Sequence, residues 1–176
     1  MGSVSAPLLG RPEPLAPRHD VSRFRNGSHP SLDHWLYEQA RRSEGLSARS
    51  YVVCPQAQPN RVVGYFSIAT ALEQRNALPS AKLRQNMPER VPLLLIARLA
   101  VDAEWQGQGL GSALLADALC RCLAASEIAG ARGVIVHAID SAAVGFYQAH
   151  GFTPSPLGEH VLLMPIETVR GCMVKP

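Results

Sequence analysis

Residues 106–112, Gln-Gly-Gln-Gly-Leu-Gly-Ser, stand between an unbroken apolar run at 91–101 (VPLLLIARLAV) and a segment with helical spacing. No other feature limits the fold as much. The run is too apolar for a strand with one wet face, so it reads as a central strand. Beyond the loop, Leu110, Leu114, Leu115, Ala118 and Cys122 give one buried side to a helix over about 109–125. Strand, glycine loop and helix start in succession suit a phosphate. Glycine lets the backbone approach a ligand, and N–H groups at a helix N-terminus hold an anion. Two phosphate loops are excluded. A Walker loop needs Gly-Lys-Ser/Thr, and the segment has no lysine. A dinucleotide fingerprint starting at Gly107 needs Gly or Ala at 112, which is Ser. A tight turn that simply requires glycines is the alternative reading.

The remaining chain predicts a mixed α+β order. Ser31 can cap a helix over about 32–44, where Leu32, Trp35, Leu36 and Ala40 share a face and Gly45 can end it. Two apolar runs, 49–54 and 61–71, flank the turn PQAQPN and predict a hairpin. Residues 72–90 read as a polar loop with room for a short helix. A strand follows at 133–139, then a short helix capped by Asp140 or Ser141 and stopped by Gly151, then a strand at 160–166. The length of 176 residues predicts a single domain over 1–176, with 1–11 and 168–176 loosely ordered. No apolar run approaches ~18 residues and no basic apolar leader opens the chain, so the expected location is the cytoplasm, away from membranes.

Hydrophobic residues at 47 % and charged ones at 18 % exclude a disordered chain. The four cysteines (54, 120, 122, 172) form no CxxC pair and no Cys/His group with zinc spacing. No metal is expected, and the thiols read as free and buried. His29 and His34 are not read as ligands, His137 reads as a core histidine, and Trp105 as a half-exposed loop anchor. The net charge of +3 is uneven: residues 1–99 carry thirteen basic and seven acidic side chains, and fifteen of the seventeen basic residues are Arg. Arginine suits bidentate phosphate contacts. Codon bias would give the same excess.

A third phosphate pattern, Gln/Arg-x-x-Gly-x-Gly/Ala, is met by Gln106, Gly109 and Gly111. It is the pyrophosphate loop of acetyl-coenzyme A-dependent acetyltransferases. Three more segments occur in the order those enzymes use: Arg98-Leu99-Ala100-Val101-Asp102 before the loop, the strand at 134–139, and Ala143-Val144-Gly145-Phe146-Tyr147 followed by Gly151-Phe152. On these residues the chain resembles the GCN5-related N-acetyltransferase (GNAT) family over about 50–166. The resemblance implies a GNAT fold: a central mixed, mostly antiparallel, twisted sheet flanked by helices, with strands four and five splayed to admit acetyl-coenzyme A. It places the cofactor on Leu99, Ala100, Val101, Gln106, Gly107, Gln108, Gly109, Leu110, Gly111 and Ser112, with backbone groups of Leu99 and Val101 pairing with pantetheine.

A narrower resemblance covers about 12–167. Phe24-Arg25-Asn26-Gly27, Leu32-Asp33-His34-Trp35-Leu36, Val63-Gly64-Tyr65-Phe66 and Arg84-Gln85-Asn86-Met87-Pro88 are similar to the GNAT toxins of type II toxin–antitoxin systems, with Asn26 a minor departure. Those proteins acetylate the amino group of aminoacyl-tRNA. The resemblance implies a tRNA-binding set of Arg75, Lys82, Arg84, Asn86, Arg90 and Arg98. It also implies a cognate antitoxin, expected to be a ribbon-helix-helix protein, and allows a homodimer. Read without the resemblance, each arginine is equally a solvated surface charge, except Arg98, which interrupts an apolar run and must face a polar cleft or be paired.

Acetyl transfer from a thioester requires a neutral amine near the carbonyl, stabilisation of the oxyanion (here by a backbone N–H on strand 97–101), and a proton for the departing thiolate. Tyr147 occupies the position of the family's tyrosine, which implies the general-acid role; by position alone it is equally a core tyrosine beside Phe146. No carboxylate lies in 61–71 or 91–101. A lysine amine of pKa ~10.4 would want a base, whereas an α-amino group near ~7.7–8.0 is already largely neutral. The missing base therefore favours an aminoacyl ester as acceptor. The alternatives are acetylation of a small amine or a protein amino group, or a degenerate module that only binds acetyl-coenzyme A.

Overall fold

The computed structural model describes residues 7–174. Its elements run β1 (Glu13–Pro14), α1 (Pro30–Glu38), α2 (Ala40–Ser43), β2 (Arg49–Val53), β3 (Gly64–Gln74), a 3-10 turn (Arg75–Ala77), α3 (Ala81–Arg84), β4 (Arg90–Val101), a second 3-10 turn (Ala103–Trp105), α4 (Leu110–Ala129), β5 (Gly133–His137), α5 (Ser141–Ala149), β6 (Thr153–Pro154), β7 (Val161–Pro165) and α6 (Ile166–Met173). The class is α+β, with strand order β1-β2-β3-β4-β5-β7-β6. β4 is the fourth of seven, the central place its apolar run requires. Leu94–Ile96 pair in parallel with Val134–Val136, and β4 continues to Val101. The pairs β1–β2, β5–β7 and β6–β7 are antiparallel.

Contacts divide the chain into two compact units, Met1–Ser67 with Arg98–Leu115 and Ile68–Ala97 with Ala116–Pro176. The core of the first joins Phe24, Leu32, Leu36, Val52, Val62, Tyr65 and Ala100. In that unit a Cβ on Gly64 would lie 2.9 Å from Leu114 and from Val53, so only glycine lets the first turns of α4 come this close to β3. The core of the second joins Leu78, Leu83, Val91, Leu93, Ile135 and Leu163.

Several boundaries differ from the sequence reading. The helix expected at 32–44 begins at Pro30, so Ser31 lies inside it; His29 is the N-cap and Pro30 fills the first turn, where its missing N–H costs nothing. Gln39 separates it from α2. β3 runs to Gln74 and so takes in Glu73, a half-buried carboxylate outside the 61–71 run. The polar loop at 72–90 is packed: Leu78 and Leu83 are buried, and Ser80 caps α3 by accepting from the Leu83 N–H at 3.2 Å. The loose tail expected from 168 onward is instead α6 as far as Met173, because Ile166 and Val169 bury one face of it. Near the start, Leu9 bridges Pro55, and the Gly10 N–H donates to the Cys54 carbonyl at 2.9 Å. Residues 1–6 and 175–176 of that expectation lie outside the described residues. Among the described residues no helix is long and apolar enough to cross a membrane.

Candidate active site

In the first unit β4 ends at Val101, and Asp102 starts the turn. Its buried carboxylate accepts the Glu104 N–H at 3.0 Å through one oxygen and the Arg25 N–H at 3.0 Å through the other. Trp105, expected half-exposed, is buried at 9 % exposure and pins the loop. Gly107 and Gly109 have φ of +74° and +83°, the left-handed region other residues enter at a cost, and a Cβ on either would meet nothing within 4 Å. The first intrahelical bond of α4 runs from the Ala113 N–H to the Gly109 carbonyl at 3.1 Å. The α4 dipole therefore points its positive end at open space over an exposed glycine loop. This arrangement fits a pyrophosphate carried by the backbone of residues 107–112.

Two expected cofactor contacts change. The Gln106 side chain turns inward, donating to the Asn26 carbonyl at 2.8 Å and the Val101 carbonyl at 3.0 Å. The Val101 carbonyl also accepts from Asn26 Nδ2 at 3.1 Å, which occupies both its lone pairs. That carbonyl therefore offers pantetheine no acceptor, which leaves the Val101 N–H and the backbone groups of Leu99 as the candidates. Arg98 does not sit alone in a polar cleft. Its guanidinium lies 5.2 Å over the Trp35 ring, which stacks on Tyr65 at 6.1 Å, and the Tyr65 hydroxyl donates to the Leu32 carbonyl at 2.8 Å. The cation is held against the Trp35 ring, which accounts for an arginine amid apolar neighbours.

In the second unit Tyr147 lies on α5. Asp140 caps that helix by accepting the Ala143 N–H at 2.8 Å. Tyr147 is buried, with Phe146 and Phe152 edge-on at 5.2 and 5.4 Å, and burial pushes its pKa up to about 12. The other five residues expected to meet tRNA divide into two groups. Arg75 and Arg84 staple the segment they belong to, donating to the Met87 carbonyl at 2.9 Å and the Leu78 carbonyl at 2.7 Å. Lys82, Arg90 and Asn86 are exposed, and Asn86 adopts φ +60° at the turn between α3 and β4.

Arg132 carries no local sequence signal, and only the fold gives it partners. Its Nη1 donates to both Glu167 carboxylate oxygens at 2.7 and 2.8 Å, while Nε and Nη2 reach the Leu83 and Lys82 carbonyls at 3.3 Å. His137, expected in the core, is exposed at the end of β5. Cys54 and Cys122 are buried as expected, whereas Cys120 and Cys172 are exposed because they fall on the outer faces of α4 and α6. Glu13, His19 and Cys54 bring potential metal ligands within 4.8 Å of one another. His19 Nδ1 accepts the Ala16 N–H at 2.9 Å, so the ring proton is on Nε2, facing Glu13 at 2.9 Å. Neither nitrogen has a lone pair to give a cation, so the cluster does not suit a metal.

A family model described as "Acetyltransferase (GNAT) domain" matches residues 47–154. The chain is 37 % identical over 160 residues to a tRNA-acetylating toxin of Mycobacterium tuberculosis, covering 90 % of this chain and 93 % of that one. It is similar to the structure of AtaT complexed with acetyl-methionyl-tRNAfMet, with a TM-score of 0.84 and 29 % identity over 94 % of this chain and 99 % of the other. A tyrosine-to-phenylalanine mutant of the AtaT toxin, bound to the C-terminus of the antitoxin AtaR and acetyl-CoA, gives a TM-score of 0.79 and 26 % identity over 95 % and 99 %. With the domain match spanning β4, the glycine loop and α4, and a relative matching along nearly the whole length, the chain belongs to the GNAT acetyltransferase family.

Proposed function

We propose that this protein is a toxin that transfers acetyl from acetyl-coenzyme A to the α-amino group of aminoacyl-tRNA and thereby blocks translation. The observation that carries this reading is the 37 % identity to a tRNA-acetylating toxin along 90 % of this chain. The exposed cations Lys82, on α3, and Arg90, the first residue of β4, support it, since a tRNA acceptor stem is a dense array of phosphates. The bound thioester supplies an activated acetyl carbon. Residues 107–112 hold its pyrophosphate, and a backbone N–H of strand 97–101 stabilises the oxyanion. Tyr147 is the general acid. Its burial keeps the hydroxyl protonated far above neutral pH, so the proton is present when the C–S bond breaks. That pKa lies above the ordinary thiol value of ~8.5, which makes a free-standing phenolate costly. Tyr147 therefore gives its proton to sulfur while recovering one from the newly acylated nitrogen, and the net movement is a proton from nitrogen to sulfur.

The partner follows from the same reading. An antitoxin of the ribbon-helix-helix class, with an acidic segment that folds on binding, would complement the basic first 99 residues. A cytoplasmic site of action and a homodimer belong to the same proposal, as does a single catalytic domain over 1–176. Incubation of a fully charged total tRNA pool with labelled acetyl-coenzyme A should place label on aminoacyl-tRNA and none on deacylated tRNA. Label that goes instead to small amines or protein amino groups would transfer the function to those acceptors.

A further inference from the structure

Asn26 lies outside the strand, loop and helix that hold the cofactor, yet each of its polar positions is engaged. It is buried at 8 % exposure. Its backbone N–H donates to Asp33 Oδ1 at 2.8 Å, and its amide oxygen accepts the His29 N–H at 3.1 Å, which ties it to the start of α1. Its other two contacts point to the loop. Nδ2 donates to the Val101 carbonyl at 3.1 Å, and the Asn26 carbonyl accepts Gln106 Nε2 at 2.8 Å. Gln106 Nε2 also reaches the Val101 carbonyl, so Asn26, Val101 and Gln106 close a ring of hydrogen bonds across the base of the turn. The neighbouring residue extends the seam: the Arg25 N–H donates to Asp102 Oδ2, and the Arg25 carbonyl accepts the Ala103 N–H at 2.8 Å.

We propose that Asn26 and Gln106 form a clasp that positions the glycine loop for acetyl-coenzyme A, with Asn26 acting through the end of β4 and Gln106 acting through its side chain rather than as a pyrophosphate ligand. The proposal rests on the GNAT reading of the loop. Gly107 and Gly109 have no side chains with which to hold their own conformation, so the loop's shape must be set from its base. An exposed glutamine that turns its amide inward gives up solvation, and the two carbonyls it meets replace that solvation. A carbonyl saturated by two side-chain amides also fixes the plane of the Val101 peptide, the last of the strand before the turn.

Calorimetry and steady-state kinetics on the full chain test this with Asn26→Ala, Gln106→Leu and the double variant. Gln106 lies on an exposed turn, so its variant tests the clasp even where Asn26→Ala does not fold. Each single change should weaken acetyl-coenzyme A binding about 5- to 10-fold, the loss of one or two neutral hydrogen bonds. The double change should be about as weak as either single one, because both residues act on one carbonyl. The KM for acetyl-coenzyme A should rise in step, while kcat at saturation stays within about twofold, the signature of weakened binding rather than impaired chemistry. Unchanged affinity in a folded Gln106→Leu variant, full multiplication of the two effects, or a fall in kcat with KM unchanged would each overturn the clasp. A wild-type chain that does not bind acetyl-coenzyme A would overturn the reading of the loop along with it.

Discussion

Tyr147 shows how much one side chain's environment decides. Its hydroxyl differs from a phenylalanine edge by one atom, and Phe146 and Phe152 hold the ring in place whether or not that atom is present. Tyr147→Phe should therefore leave the fold and acetyl-coenzyme A affinity intact and lower kcat ~10²–10⁴-fold, the usual contribution of a general acid. Steady-state rates paired with calorimetry check this, and a near wild-type rate would make Tyr147 a packing residue only. Lys82 and Arg90 are the cleaner probes of tRNA binding, because Arg75 and Arg84 also staple their own segment. Charge reversal of Lys82 or Arg90 should raise the KM for charged tRNA and lower the salt dependence of binding by about one ion for each phosphate that the side chain neutralises. A reversal variant with an unchanged salt slope would mark these two as solvated surface charges.

At the level of elements, α4 and α5 each depend on what happens at their first turn. Gly109 precedes α4 at φ +83°, where any side chain strains the backbone although there is space for it. In the Gly109→Ala variant the exposed loop should relax out of that conformation in the free protein, so the cost of about 1–2 kcal/mol falls on binding: acetyl-coenzyme A affinity drops about 5- to 30-fold with little change in unfolding temperature. Calorimetry and a melting curve separate the two effects. α5 depends on Asp140, whose carboxylate accepts the Ala143 N–H. Loss of such a cap costs about 1 kcal/mol, so Asp140→Ala should lower Tm by roughly 2–4 °C. Both helix starts were legible in sequence, because a glycine before a helical pattern and an Asp-Ser before another are local signals. The start of α1 was not: Pro30 and His29 took the role assigned to Ser31, since proline's fixed φ suits the first turn of a helix better than its interior.

The whole molecule answers to pH through its buried acids. Burial pushes the Cys54 thiol up to about 11, and Cys122 and Tyr147 up to about 12. Unfolding returns the thiols to about 8.5 and the phenol to about 10. Between those values and the folded ones the unfolded chain holds fewer protons, so rising pH favours it; below about pH 8.5 both states are protonated and these groups add no slope. Stability should therefore be flat in this respect up to about pH 8.5 and fall progressively toward about pH 12. Melting temperatures across that range, compared between wild type and Cys122→Ala, should show a shallower alkaline decline in the variant. An unchanged slope would mean that Cys122 does not titrate as a buried thiol.

Local sequence was enough for the order α1-β2-β3-β4-α4-β5-α5-β7, the central place of β4, the glycine loop at the head of α4 and the helix that carries Tyr147. Each is written in residues close together along the chain, through periodicity, an apolar run or a cap. Folding in three dimensions chose the partners of the long-range polar groups. Asn26 reaches Val101 across seventy-five positions, Arg132 reaches Leu83 across forty-nine, and Arg98 lies on Trp35 rather than alone in a cleft. α6 and the packing of Leu78 and Leu83 were illegible for a related reason. Short segments with few apolar residues gain order from burial against distant parts of the chain, and burial is not encoded in their own spacing.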